Sequence, residues 1–201
     1  MSPAGTAAAS RDGDELWIVR HGETEWSARG QHTSTTDLAL TVDGETSARS
    51  LTERLARVDF VQVLTSPRRR ARDTAALAGF PEAEPDDDLA EWAYGDYEGL
   101  TTPEIRETVP GWSVWTHPSP GGETADQIGA RLDRIVTRAR AEDGKTLVFA
   151  HGHSLRVLAA RWLGLPVPDG RIFLLDTATI SVLAVDRGTP VIRLWNATST
   201  D

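Results

Sequence analysis

The chain has 201 residues, of which 39% are hydrophobic and 25% charged, and a formal net charge of −9. That is the balance of one globular domain with a sizeable core, and its acidity argues against nucleic acid or an anionic membrane surface as a partner. No apolar run approaches the ~20 residues of a membrane-spanning helix, and the absence of cysteine excludes disulfides, thiolate catalysis and cysteine-held zinc.

Met1 to Asp14 is small and polar and has no apolar centre of the kind a signal peptide carries. It reads as a disordered arm, 1–14, ahead of a single domain, 15–201, in a cytoplasmic protein. Leu16 to Val19 is apolar without alternation, so it reads as a strand buried on both faces. Arg20, His21 and Gly22 follow at once, a fork for phosphate, an imidazole and a residue that lets backbone come close. Thr24 to Asp37 is polar and reads as a loop. Thr41 to Arg57 has Leu51 and Leu55 at helical spacing, with Thr41 or Asp43 as N-cap. Phe60 to Leu64 reads as a second strand, Thr65-Ser66-Pro67 as a turn and Arg68 to Ala78 as a helix. This is the strand–helix grammar of a parallel sheet.

Pro81 to Asp88 reads as an acidic surface loop. Val109 to Gly122, with Trp112, Trp115, His117 and three prolines, reads as an irregular lid-like segment, part of an insertion over about 80–122. Thr124 to Glu142 is the clearest amphipathic helix. Thr146 to Ala150 is a third core strand, which ends in His151-Gly152-His153, and Leu155 to Leu163 is a further helix. Arg171 to Leu175, Thr179 to Val185 and Val191 to Trp195 read as strands. Ser154 reads as an N-cap rather than a nucleophile, because no Gly-x-Ser-x-Gly elbow surrounds it.

Three strand ends therefore carry Arg20-His21, the arginine cluster at 68–72, and His151. Parallel strands place such ends on one edge, where ligands bind. Positive charge concentrated there in an acidic protein points to an anionic ligand, most simply a phosphoryl group. His151 and His153 are spaced like a metal pair, but no third ligand accompanies them. His153 therefore reads as pocket wall or cap, with Gly152 beside it. Thr33 and Ser34 offer hydroxyls or backbone N–H to phosphate, and Tyr94 offers its hydroxyl to substrate.

Leu16-Trp17-Ile18-Val19-Arg20-His21-Gly22-Glu23-Thr24, Thr65-Ser66-Pro67-Arg68-Arg69-Arg70-Ala71, Glu91 ahead of Gly95-Asp96-Tyr97-Glu98-Gly99, Gly121-Gly122-Glu123-Thr124 and Leu147 to Gly152 occur in this order. Together they resemble the histidine phosphatase superfamily, the phosphoglycerate mutase-like proteins. The resemblance implies an α/β fold, a three-layer α/β/α sandwich with a mostly parallel central sheet. It implies His21 as the nucleophile that becomes phosphohistidine, and Glu91 as proton donor. Arg20, Arg70 and His151 are the implied phosphate clamp, and neither metal nor other cofactor is implied. Ser27 and Ser34 stand where the mutases carry asparagine and glycine, which favours a phosphatase. The pattern looks most like a subgroup that holds sedoheptulose bisphosphatase-like proteins and an actinobacterial acid phosphatase. A small phosphorylated metabolite is the expected substrate, with a phosphomutase or a silent phospho-ligand-binding module as the alternatives. A homodimer is compatible with all of this.

Overall fold

The computed structural model describes residues 13–199. The expected arm lies outside the described residues except for its last two. Of those, Asp14 is buried, and its carbonyl accepts from the Val185 N–H. Among the described residues one sheet contains β1 (Glu15–Arg20), β2 (Gln62–Thr65), β3 (Glu84–Pro85), β4 (Lys145–Ala150), β5 (Ile180–Asp186) and β6 (Thr189–Ala197), in the order β3-β2-β4-β1-β5-β6. The pairings of β1 with β4, β2 with β4 and β2 with β3 are parallel, and β5 and β6 extend the sheet in antiparallel fashion. The helices are α1 (Glu25–Arg29), α2 (Val42–Ser50), α3 (Thr52–Leu55), α4 (Arg69–Leu77), α5 (Thr102–Thr108), α6 (Ala125–Ala141) and α7 (Gly152–Trp162).

The unalternating apolar strands divide their residues between two cores. Leu16 and Ile18 of β1 and Val148 and Ala150 of β4 join Ile128, Leu132, Leu155 and Leu158 on one face. Val19, Leu147 and Phe149 join Leu51, Leu55, Ala75 and Ala78 on the other. A sheet covered on both sides is why the middles of these strands carry no polar residue facing water, and it makes the fold a three-layer sandwich. In register, Arg20 lies opposite Ala150. The N–H of His21 donates to the Ala150 carbonyl (2.9 Å) and that of Ser66 to Phe149 (2.8 Å). The sheet thereby brings His21, Ser66 and His151 to one edge.

Several expected elements differ. The loop 24–37 contains α1, closed by a capping box between Thr24 and Ser27 and stopped by Gly30 at φ +71°. The single helix over 41–57 is two, α2 capped by Thr41 and a short α3. The loop 81–88 contributes the two-residue edge strand β3. The strand expected over 171–175 is instead the end of a 3-10 turn, Val167–Ile172, followed by irregular chain. There Phe173 packs on Trp195, and the Leu175 carbonyl turns to Arg20. Ser154 is not an N-cap. His151 holds that position, and Ser154 is the third residue of α7.

Candidate active site

His21 is 5% exposed at the end of β1. Its Nδ1 lies 2.7 Å from the carbonyl of Gly22. A carbonyl only accepts, so Nδ1 carries the proton and Nε2 keeps its lone pair. Burial, then the charges of Arg70 and Arg20, hold this imidazole well below its usual range, so it stays neutral and nucleophilic. The segment behind it is fixed. The Gly22 N–H donates to Thr74 Oγ1 (2.9 Å), whose hydroxyl donates to the Arg70 carbonyl one turn earlier in α4 (2.7 Å).

Arg20 donates from Nη1 to the Leu175 carbonyl (2.6 Å), while its Nε is buried without an acceptor. His151, fully buried, packs edge-on to His21 with ring centroids 5.2 Å apart. Its Nδ1 accepts from Arg70 Nε (3.1 Å), so its proton is on Nε2, which donates to Ser66 Oγ (2.7 Å). Burial and the charge of Arg70 keep it neutral as well. Arg70 is also fully buried. Besides His151, it donates to the carbonyls of Thr36 (3.1 Å), Thr33 (3.0 Å) and Ser34 (3.4 Å).

Glu91 is anchored by the N-terminus of α7. Its carboxyl accepts from the backbone N–H of Ser154 (2.7 Å), His153 (3.0 Å) and Trp92 (2.9 Å). Unsatisfied amides at a helix start are suited to this. Arg20, His21, Ser27, Thr33, Glu91, Tyr94, Gly152 and His153 all line one cavity of about 180 Å³. Arg70 and His151 do not line it; His151 packs on the His21 ring, and Arg70 is bonded to His151. Ser27 commits its hydroxyl to the cap of α1. Ser34 turns away, and its hydroxyl donates to Glu98 (2.5 Å). A Cβ on Gly152 would sit 3.4 Å from the Arg20 guanidinium, which lies across the start of α7. Among the described residues no cluster of three or more His, Cys, Asp or Glu is arranged to hold a metal. His153 instead shares a 2.6 Å hydrogen bond with the Tyr94 hydroxyl.

The cavity is also lined by His32 and Arg156, ionisable side chains to which the sequence assigns no role. His32 packs tilted against Tyr94 (4.6 Å) and edge-on against Trp112 (5.2 Å), and burial lowers it to about 4. Arg156 lies 4.7 Å over Trp115 and donates to the carbonyls of Gly170 and Arg171. It has no carboxylate partner within ion-pairing distance among the described residues. Its place four residues after Gly152, about one helical turn along α7, is the available signal. Trp112 and Trp115 are buried packing residues beneath these rings.

An α/β sandwich in an acidic chain that gathers guanidiniums and neutral imidazoles at one sheet edge has the architecture of a phosphoryl-handling enzyme. The family model of the histidine phosphatase superfamily (branch 1) matches residues 16–198. An acid phosphatase from Mycobacterium tuberculosis is 43% identical over 177 residues, covering 86% of this chain and 87% of that protein. Sedoheptulose 1,7-bisphosphatase from Saccharomyces cerevisiae is 41% identical over 185 residues, covering 75% and 68%. The solved structure of an open reading frame product from M. tuberculosis superposes with a TM-score of 0.90 at 41% identity, covering 94% of this chain and 100% of that one. The chain belongs to the histidine phosphatase superfamily and is a phosphatase. No helix among the described residues is long and apolar enough to cross a membrane.

Proposed function

We propose that the chain hydrolyses a small phosphomonoester bearing a second anionic group, through a phosphohistidine at His21. The observation that carries the reading is the pairing of two features in one cavity. These are an imidazole whose Nδ1–H is tied to Gly22, leaving Nε2 free, and the Arg20 guanidinium, a cationic fork suited to phosphoryl oxygens that lines the same cavity. His21 Nε2 attacks phosphorus in line. The P–O ester bond breaks, and Glu91 gives its proton to the leaving oxygen. Water then yields a proton to Glu91 and attacks phosphorus. The P–N bond breaks, which releases orthophosphate and restores His21. The Arg20 guanidinium and the charge of Arg70, whose Nε is held by His151, stabilise the charge on the equatorial oxygens. These two arginines supply the electrostatics without a metal, so turnover persists in EDTA.

Arg156 supports the second anion. It is a cation in the catalytic cavity, fixed by two carbonyls and an indole, and it ion-pairs with no carboxylate among the described residues, although the charge of Glu91 acts on it across the cavity. A relative named for a bisphosphate substrate is consistent with this. The site of action is the cytoplasm, since such charged metabolites do not cross a bilayer unaided. The test compares phosphate release, in EDTA, from sugar bisphosphates, phosphorylated hydroxy acids, sugar monophosphates and p-nitrophenyl phosphate. A kcat/KM advantage for doubly anionic esters that Arg156→Gln reduces roughly tenfold or more supports the reading. Equal rates for singly and doubly anionic esters refute the second anion, and turnover without trappable phosphohistidine refutes the covalent route.

A further inference from the structure

Residues 33–36 form a strap held between opposite charges. On one side is the Glu98 carboxylate, which follows the 3-10 turn Gly95–Tyr97 and lines no part of the catalytic cavity. It accepts from the Ser34 N–H (2.9 Å to each oxygen), the Ser34 hydroxyl (2.5 Å) and the Thr36 N–H (3.0 Å). On the other side Arg70 donates to the carbonyls of Thr33, Ser34 and Thr36. The amide dipoles of the strap thus point their N–H ends at an anion and their C=O ends at a cation. Each charge polarises the bonds made to the other. Burial alone raises the Glu98 carboxyl, but the donors from Ser34 and Thr36 outweigh it and hold it below its usual range.

Arg70 has few other restraints. Its Nε contact to His151 is the one side-chain bond its guanidinium makes among the described residues; the remaining ties are to the strap. We propose that Glu98 is a positioning residue for phosphoryl transfer. By gripping the strap it fixes the Arg70 guanidinium, and through Arg70 the tautomer of His151, although Glu98 itself touches neither. With the carboxylate gone, the Ser34 and Thr36 donors lose their acceptor. The strap relaxes, and Arg70 is free to leave the geometry from which its charge acts on the phosphoryl oxygens. The inference rests on the assignment of Arg70 to phosphoryl stabilisation made above.

A double-mutant cycle with Glu98→Gln and Arg70→Lys tests it. The readouts are kcat/KM for p-nitrophenyl phosphate, the inhibition constant of orthophosphate, and the melting temperature. Glu98→Gln should weaken orthophosphate inhibition and lower kcat/KM, each by roughly 10- to 100-fold, and Glu98→Asp should recover part of both. In the Arg70→Lys background the same change should cost less than about threefold, because the group it positions is already altered. Full multiplication of the two effects makes Glu98 a residue of general stability only and overturns the proposal. So does a lowered melting temperature with unchanged orthophosphate inhibition. Where Glu98→Gln does not fold, Ser34→Ala, which removes the 2.5 Å bond and leaves the carboxylate, is put through the same cycle. If Arg70→Lys loses nothing, the assignment of Arg70 has failed, an outcome distinct from additivity, and the proposal falls with it.

Discussion

At the scale of single residues, the tautomers decide the chemistry. His21 and His151 are both neutral and packed edge-on, yet they carry their protons on opposite nitrogens because different partners hold them. His21 faces a carbonyl through Nδ1 and presents a lone pair at Nε2; His151 takes the Arg70 proton at Nδ1 and cannot attack from there. His21→Gln should therefore lose on the order of 10⁴-fold or more in kcat/KM, with unchanged circular dichroism. A loss below tenfold, with full phosphate release, would move the nucleophile elsewhere. Glu91 makes a finer case. Glutamine there retains one oxygen for the amides of α7 but has no proton to give. Glu91→Gln should cost about 10²- to 10⁴-fold on alkyl phosphates. The loss should be much smaller for p-nitrophenyl phosphate, whose leaving group departs without a proton. A leaving-group series read in both proteins checks this, and an equal loss across the series would sink the acid role.

At the scale of elements, a close approach ties a helix to the catalytic strand. A Cβ on Gly44, in the first turn of α2, would lie 2.2 Å from the Glu23 carbonyl; one on Gly22 would lie 2.5 Å from that of Gly44. Contacts with backbone are not relieved by a rotamer change, so Gly44→Ala should push α2 off the segment that carries His21. It should cost about 1–3 kcal/mol, or roughly 2–4 °C of melting temperature per kcal/mol in a chain of this size, and lower kcat with little change in KM. An unchanged melting temperature would show that α2 shifts freely. The same local logic explains what the sequence made legible. Leu16 to His21 and Thr146 to His151 read correctly because an apolar run buried on both faces and stopped by His-Gly is a local signal. Arg70 and Glu91 needed family motifs, since their partners are distant in the chain: Arg70 meets His151 across 81 residues and Glu91 meets Ser154 across 63. His32 and Arg156 are illegible for the same reason, because the rings of Tyr94, Trp112 and Trp115 and a carbonyl of the 3-10 turn place them. The stretch 171–175 reads as a strand because composition does not show that its Leu175 carbonyl is taken by Arg20.

At the scale of the whole molecule, the buried imidazoles set how stability depends on pH. His21, His151 and His153 are held well below 6.5 by burial and neighbouring arginines, and His32 is lowered to about 4 by burial. The unfolded chain protonates these groups near 6.5 while the folded chain does not. The unfolded state therefore binds more protons, and stability falls as pH drops from 6.5 toward the folded values. The slope is about 1.4 kcal/mol per pH unit for each such histidine, so four together dominate the window from pH 6.5 to about 4. An opposing effect exists, because acid relieves the self-repulsion of a chain with net charge −9. That repulsion is spread over an exposed, salt-screened surface, whereas the imidazoles are desolvated, so the histidines should win at physiological ionic strength. The melting temperature should consequently fall by roughly 10 °C or more between pH 7 and pH 5. Saturating orthophosphate should shrink that fall: an anion beside His21 and His151 favours their charged forms and brings their folded values back toward 6.5. Thermal unfolding at pH 7 and pH 5, with and without orthophosphate, measures both parts. A melting temperature that rises on acidification would mean that surface repulsion outweighs the buried imidazoles. A fall that orthophosphate leaves unchanged would mean that the anion does not bind beside them.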